Sequence, residues 1–258
     1  MLAFFLLTSC DENKRPQAQI IDCLPDGIQD DVIAFYGFED GSLLDQSSSG
    51  AHLTNSSTAA PATDRKGNSR CAFEFDQRNG KTEFLTSQDT DFLNDLTSFS
   101  ISLWYMPKDS SRQGGDFESL LHRNTTLRCP DRNGEWSVAL FDCRRAVFGH
   151  NNSVWSETSL PFVGNTTCQD VVDAFTGSWY HLVAVKDNDE MLLYLNGVLH
   201  SRDTGPAKCS SMHVAEDIGD LFLGTDYTGL LDDIVILNRA LTQTEVTDLY
   251  QLETCCGS

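Results

Sequence analysis

Short runs of alternating apolar and polar residues recur along most of the chain. The run at residues 98–106 reads SFSISLWYM: Phe, Ile, Leu and Tyr share one set of alternate positions, and three serines and Trp104 share the other. A period of two is typical of a β-strand with one face on a core. Runs of the same kind occur at residues 31–38, 72–76, 136–141, 179–186, 190–195, 220–223 and 231–237. Repeated strands with hardly any helical pattern predict an all-β sandwich of two antiparallel sheets.

Turn-forming residues separate the predicted strands. Residues 187–189, DND, lie between two of them, and Asn196-Gly197 follows the second strand. Asn-Gly is the dipeptide that accepts positive φ in a tight hairpin. Residues 183–201 are therefore predicted to form a meander of antiparallel strands.

One segment near the C-terminus has the pattern of a helix. Thr242 and Glu245 have the spacing of a capping box, and Val246, Leu249 and Tyr250 then fall at i, i+3 and i+4. This pattern predicts one short C-terminal amphipathic helix that closes the β domain.

Charge narrows the range of partners. The 258 residues include 38 Asp and Glu against 18 Lys and Arg, a formal net charge of -20. Nucleic-acid affinity comes mainly from Lys and Arg neutralising phosphates, so no nucleic-acid partner is expected, and anionic membrane surfaces are disfavoured for the same reason. The many carboxylates suit calcium, although the simpler interpretation is that they keep an exported protein soluble.

The first ten residues have the composition of an export signal. Residues 1–9, MLAFFLLTS, are apolar and too short to span a bilayer, and LTSC at residues 7–10 looks like a bacterial lipobox. That likeness implies acylation of Cys10 and a polar tether over residues 10–26, followed by a domain over residues 27–258. The protein is then exported and lipid-anchored at the bacterial outer membrane or cell surface, with the lipid as its only membrane contact. A secreted protein is the alternative.

Eight further cysteines follow Cys10. They are Cys23, Cys71, Cys129, Cys143, Cys168, Cys209, Cys255 and Cys256. An even number in an exported chain predicts disulfides, and the absence of a CxxC pair argues against a zinc or thioredoxin-like motif. If the two ends of the domain meet, Cys23 pairs with Cys255 or Cys256, and the other pairings stay open.

Four segments together resemble one family. They are YGFEDGSLLDQSSSGAHLTN at 36–55, FSISLWYMP at 99–107, WYHLVAVKDNDEMLLYLNGVL at 179–199 and GLLDDIVILNRALTQTEVTDLY at 229–250. They resemble successive strands of a laminin-G-like domain of the concanavalin A-like lectin/glucanase superfamily, over about residues 31–252. The resemblance implies a jelly-roll sandwich with one concave and one convex sheet. Residues 121–175 depart from the family pattern, either as a specificity-determining insertion or as a disulfide-stapled surface excursion.

The resemblance also implies a structural calcium ion. In the family, carboxylates and main-chain carbonyls hold calcium where the exit of the first strand meets the start of the last strand. The matching positions here are Glu39, Asp40, Gly41 and Asp45 after the first strand and Asp232 at the last. Calcium needs six to eight oxygen ligands, which a bent loop containing glycine can supply. The alternative is that the loop carboxylates form Asx turns and the Asp232-Asp233 pair is solvated.

Aromatic residues are the candidates for sugar binding, because their faces can stack on pyranose rings. Trp104 and Trp179 fall in the strands shared with the family and are expected in the core. Trp136 and Trp155 fall in the atypical stretch. They are therefore predicted to form the ligand-binding platform.

Catalysis has less support in the sequence. The retaining glucanases of the superfamily carry E-x-D-x-x-E on one strand, and the nearest match, Glu74 and Asp76, lacks the third acid. We therefore expect a non-catalytic module that recognises a glycan or another cell-surface ligand, with calcium as a structural ion. The alternatives are a polysaccharide-degrading enzyme of the same superfamily and a protein-binding adhesion module.

Overall fold

The structure is a computed structural model that describes residues 21–94, 96–111, 116–123, 136–150, 155–157, 167–188, 190–203 and 219–256, with backbone alone for 155–157. The predicted export signal at 1–9, Cys10 and residues 11–20 of the predicted tether lie outside the described residues. Cys129 and Cys209 lie outside them as well.

Fourteen strands and two α-helices are present in the described part of the chain. The strands are β1 (Val32–Tyr36), β2 (Ala60–Ala62), β3 (Ala72–Phe75), β4 (Leu85–Ser87), β5 (Ser98–Pro107), β6 (Phe117–Arg123), β7 (Trp136–Phe141), β8 (Arg145–His150), β9 (Trp155–Glu157), β10 (Tyr180–Asp187), β11 (Glu190–Leu195), β12 (Val198–Asp203), β13 (Leu221–Leu223) and β14 (Gly229–Leu237). The helices are α1 (Cys168–Phe175) and α2 (Gln243–Gln251).

The strands form two antiparallel sheets, as the alternating pattern predicts. The larger sheet has the order β12-β11-β10-β5-β14-β3-β2, and β1 pairs with the second half of β14. The smaller sheet has the order β4-β13-β6-β7-β8-β9. The first strand therefore neighbours the last, with Tyr36 opposite Ile234 and Val32 opposite Leu237. This architecture confirms the predicted jelly-roll sandwich.

The main core lies between the two sheets. In β5, Phe99, Ile101, Leu103 and Tyr105 are all buried within it, as the period of two predicts. The smaller sheet contributes residues such as Phe148, whose ring meets that of Phe99 edge to face at 6.0 Å.

A second apolar layer covers the outer face of the larger sheet. Val246 and Leu249 of α2 pack there against Val183 and Val235. Ile21 and Leu24 join the same layer, so the packed domain includes residues 21–26, which the sequence analysis placed in the tether. The capping box predicted for α2 is present, because the Thr242 side chain accepts a hydrogen bond from the Glu245 backbone N–H.

Disulfides close the domain at its ends. Cys23 bonds to Cys255, one of the two predicted partners, and Cys71 bonds to Cys256. A third disulfide joins Cys143, after β7, to Cys168 at the start of α1. The first two fasten the residues after α2 to the N-terminal segment and to the start of β3.

The helix α1 was not predicted from the sequence. It lies inside the atypical stretch and begins at a capping box formed by Thr167 and Asp170. Val171 and Phe175 are buried against the Cys143–Cys168 disulfide. The atypical stretch therefore includes a stapled helix. No helix in the described part of the chain is long and apolar enough to cross a membrane.

Candidate functional site

Asp45, a predicted calcium ligand, is committed to hydrogen bonds within the protein. It is 5% exposed, and its Oδ1 accepts the backbone N–H groups of Phe35 and Ser47, both at 2.9 Å. Its Oδ2 accepts the hydroxyls of Ser47 and Ser49 at 2.9 and 2.6 Å and the Ala51 N–H at 3.0 Å. All five partners are donors, which satisfy the carboxylate without a cation.

The other loop candidates lie apart from this network. Asp40 is exposed and pairs with the Arg70 guanidinium at 2.7 Å. Glu39 is exposed as well. Gly41 has a φ of 74°, and its N–H donates to the carbonyls of Phe38 and Arg70, each at 2.8 Å. The loop is thus held by protein hydrogen bonds and by one arginine.

Asp232, the last candidate, lies at a bulge where the pairing of β14 with β5 shifts register. Its Oδ2 accepts from Nη1 of Arg65 at 2.9 Å, and Oδ2 of Asp233 accepts from the same nitrogen at 2.7 Å. Asp233 has a left-handed φ of 42°, a conformation that costs a non-glycine residue energy. The bulge turns both carboxylates toward one guanidinium.

Burial dominates the electrostatics of this aspartate pair. It raises the pKa of Asp232 well above its ordinary value, and the neighbouring charge of Asp233 raises that pKa further. Burial also raises the pKa of Asp233, while Arg65 opposes the shift. The single guanidinium therefore balances the two carboxylates only in part.

The predicted calcium ligands do not form one cluster. Among the described residues, the one group of at least three acidic, Cys or His side chains with ligand atoms within 4.8 Å of one another is Asp142, Cys143 and Cys168. Its two cysteines form a disulfide. Glu39, Asp40, Gly41, Asp45 and Asp232 therefore do not fit a shared calcium ion.

Trp136 does not form an exposed platform, so that prediction is wrong. It is 2% exposed and lies in the core between the sheets, with its ring 6.1 Å from that of Phe99. It shares alternate positions of β7 with Val138 and Leu140, which lie in the same core. Trp155 lies in β9, opposite Gly149 of β8, and its side chain lies outside the described part of the structure.

The two candidate catalytic carboxylates are both ion-paired. Glu74 binds Lys108 at 2.6 Å, and Asp76 binds Arg78 at 2.8 Å. The hydrogen bond from Arg78 lowers the pKa of Asp76 to about 2. A general acid in a glycosidase needs a raised pKa, so Asp76 does not fit the role of proton donor.

An aromatic recess lies beside α2, on the face of the larger sheet away from the main core. Its volume is about 430 Å³, and its lining consists of Arg65, Lys66, Trp104, Trp179, Tyr250, Gln251 and Leu252. Trp104 projects from β5 on the same side as Ser102, and Trp179 immediately precedes β10. Tyr250 belongs to the last turn of α2 and is 37% exposed.

Trp104 is fixed within this aromatic recess. Its ring is stacked with that of Tyr250 at 5.8 Å and lies 5.0 Å from the imidazole of His181. The guanidinium carbon of Arg65 lies 4.4 Å from the same ring, within the range of a cation–π contact. These neighbours hold the indole in one orientation.

His181 is buried behind the Trp104 ring and is a neutral group. Its Nε2 lies 2.8 Å from the Ser102 hydroxyl, and its backbone N–H donates to the Asn196 side chain at 2.9 Å. Burial, assisted by the nearby charge of Arg65, lowers its pKa to about 3. His181 is thus uncharged at neutral pH.

The indole ring of Trp179, unlike that of Trp104, is not covered by a described aromatic ring. It is partly exposed, and in the described part of the chain its ring stacks on no other aromatic side chain. Sequence analysis assigned both tryptophans to the core. One signal pointed elsewhere for Trp104, since it shares alternate positions with three serines of β5 and not with the apolar residues.

The comparisons with known proteins agree with this architecture. A laminin G-type family model, described as the concanavalin A-like lectin/glucanases superfamily, matches residues 78–247, about two thirds of the chain. The chain belongs to that superfamily. A search of curated proteins finds no significant match.

Solved structures with a similar fold include binding domains of botulinum neurotoxins. The serotype D binding domain superposes with a TM-score of 0.63 at 12% identity, over 88% of this chain and 53% of that one. The DC binding domain in complex with rat synaptotagmin II gives 0.61 at 15% identity, over 86% and 52%. The DC binding domain in complex with SialylT gives 0.59 at 13%, over 86% and 51%. This chain thus spans about half the length of each, and at these identities the likeness shows the fold alone.

Proposed function

We propose that the domain is a non-catalytic glycan-binding module and that the aromatic recess is its binding site. One observation carries the proposal: Trp179, a partly exposed indole that stacks on no other aromatic ring among the described residues, lies in a recess that also contains amide and ammonium donors. The volume of about 430 Å³ falls within the range of small-ligand sites. A sugar of one or two rings is of suitable size.

The chemistry of the recess suits a sugar ring. The open face of Trp179 can take the apolar C–H face of a pyranose, and the phenol of Tyr250 extends the aromatic wall. Lys66 and Gln251 are exposed at the rim and can donate hydrogen bonds to ring hydroxyls. Trp104 is already in contact with Arg65, His181 and Tyr250, so its role is to support the wall.

The comparisons support a binding role by analogy. Two of the similar structures are botulinum neurotoxin binding domains, one in complex with SialylT and one with rat synaptotagmin II. The superfamily name covers both lectins and glucanases. Fold alone does not determine which of these activities a member has, so the proposal depends on the recess.

A protein-binding adhesion module is the second candidate function. Val198 and Leu199 are 60% and 38% exposed on the edge strand β12. Tyr250 lies against Gly197 in the adjoining turn, so an apolar strip continues from the recess onto this edge. Competition by free oligosaccharides separates the two functions, because a protein ligand on the edge strand would not be displaced by sugar.

The cellular setting is part of the same proposal. An exported lipoprotein, anchored through Cys10, would present such a module to polysaccharides outside the cell. The apolar residues 1–9 and the lipobox-like LTSC support this placement.

The test is a glycan array probed with the wild-type domain and with Trp179→Ala. Loss of one stacking face is worth about 0.5–1.5 kcal/mol, so we expect affinity for the selected glycan to fall by about 2- to 12-fold. Phe222→Ala is the matched control, because Phe222 is a partly exposed aromatic residue on the smaller sheet. Binding that is equal in all three proteins would contradict the proposed site.

A further inference from the structure

The side chain of Arg65 is enclosed by oxygen atoms. Besides the carboxylates of Asp232 and Asp233, its guanidinium donates to the carbonyls of Glu253 at 3.0 Å and Leu252 at 3.4 Å. Only 5% of the side chain is exposed. A single cation is therefore held by two carboxylates and two main-chain carbonyls, which together form an oxygen cage.

This oxygen cage has the composition of a calcium site. Calcium binds carboxylate and carbonyl oxygens, six to eight of them, with water completing the shell. The cage offers the four accepting oxygens, and Oδ1 of Asp233 is buried without a hydrogen-bond partner. Disulfides at Cys255 and Cys256 hold the segment that supplies the two carbonyls. The oxygens thus remain in place independently of Arg65.

The buried acidic pair is in contact with one cation, Arg65. Asp232 and Asp233 have side chains 0% and 5% exposed, and a third carboxylate, Asp64, lies close enough to act on both. Asp64 itself is satisfied by the N–H groups of Lys66 and Asn68. Among the described residues Arg65 is the guanidinium bonded to this pair, and without it the pair would have to take up a proton or lose its burial, which is strongly unfavourable.

We propose that Arg65 is the resident cation of this oxygen cage and occupies a position that a calcium ion could otherwise fill. The wild-type cage therefore needs no metal. Without the guanidinium, the same oxygens form a site for a divalent cation. This inference is independent of the glycan proposal, because neither the metal nor its absence is required for a sugar to stack on Trp179.

The test compares the calcium response of wild type and Arg65→Ala in thermal unfolding, in EDTA and in millimolar calcium. In EDTA, we expect the unfolding midpoint of Arg65→Ala to fall by roughly 6–20 °C. Calcium should restore a large part of that loss, whereas the midpoint of wild type should change much less. Arg70→Ala is the matched control, because it removes an arginine from an exposed pair with Asp40 and should not create a calcium response.

The double variant Arg65→Ala/Asp233→Asn identifies the oxygen cage. It removes one carboxylate ligand, so the calcium response gained by Arg65→Ala should disappear. Trp104 supplies a second readout, because its ring lies 4.4 Å from the guanidinium carbon that a terbium ion would replace. We expect terbium luminescence excited through tryptophan in Arg65→Ala, and its loss in Arg65→Ala/Trp104→Phe.

Two results would overturn the inference. One is an equal calcium response in wild type and Arg65→Ala. The other is an Arg65→Ala protein that stays unfolded in calcium as well as in EDTA.

Discussion

Asp45 offers a test of how far hydrogen bonds to a buried carboxylate stabilise this domain. In Asp45→Asn, an NH2 group takes the place of Oδ2 or Oδ1, with little change in shape. If it replaces Oδ2, it faces three donors, namely the two serine hydroxyls and the Ala51 N–H. The hydroxyls can rotate away. The backbone N–H of Ala51 cannot, and it is buried.

The expected loss follows from these contacts. A buried donor without an acceptor costs about 1–3 kcal/mol, and replacing a charged acceptor by a neutral one weakens the remaining bonds by about 1 kcal/mol. We therefore expect Asp45→Asn to lower the free energy of unfolding by about 2–4 kcal/mol. For a domain of this size, the unfolding midpoint should fall by roughly 4–16 °C.

Urea unfolding followed by circular dichroism, in EDTA and in calcium, measures this loss. We expect the same loss in both buffers, because the partners of Asp45 are all protein donors. Asp40→Asn is the control, since Asp40 is exposed and its variant should unfold like wild type. A loss below about 1 kcal/mol, or one that appears only in calcium, would refute the role assigned to Asp45.

Two further predictions concern acid stability and the core. Arg239 first, and then the Thr242 cap, lower the pKa of Glu245 from 4.5 to about 2. Because the folded pKa lies below the unfolded one, this stabilisation is present above about pH 4.5 and is lost as pH falls toward 2. Urea titrations across that range should therefore show that the free energy of unfolding depends less steeply on pH in Glu245→Gln than in wild type. An equal dependence on pH in the two proteins would contradict this role of Glu245. Trp136→Ala should lower the free energy of unfolding by about 3–5 kcal/mol while the folded fraction binds glycan as wild type does. Lost affinity in a folded Trp136→Ala protein would count against the separation of core and site.

The elements of the fold could be predicted from short-range patterns, and their arrangement from the family resemblance. The period of two at residues 98–106 correctly gave the core face of β5. The capping box at Thr242 correctly predicted the start of α2. The family resemblance implied that the first strand meets the last, which the pairing of β1 with β14 confirms, and it left Cys23 to pair with Cys255 or Cys256, of which the structure has Cys255.

The site could not be predicted in the same way, because its contacts join distant parts of the chain. Arg65 lies 167 residues from Asp232, and no local pattern marks it as the partner of that carboxylate. Trp136 was misplaced because it was judged by its place in the atypical stretch, although it shares alternate positions with the apolar residues Val138 and Leu140. Trp104 was missed although its phase in β5 was visible, since the family likeness suggested a core role.

Calcium binding by the domain stays a prediction that only a titration can test. The structure shows that the predicted ligands Asp40, Asp45 and Asp232 each have protein partners, so the site to titrate is the oxygen cage around Arg65. The variants of Arg65 and Asp45 therefore test two parts of one idea. In both places, protein donors are bonded to the carboxylates that were predicted as calcium ligands.

The most direct test of the central claim is an NMR titration that follows the indole N–H signals of the four tryptophans. On adding an oligosaccharide selected by the array, we expect the Trp179 signal to shift most, the Trp104 signal to shift less and the Trp136 signal to stay in place. Shifts confined to Trp155 or Trp136, with Trp179 unmoved by a glycan that binds, would contradict the account.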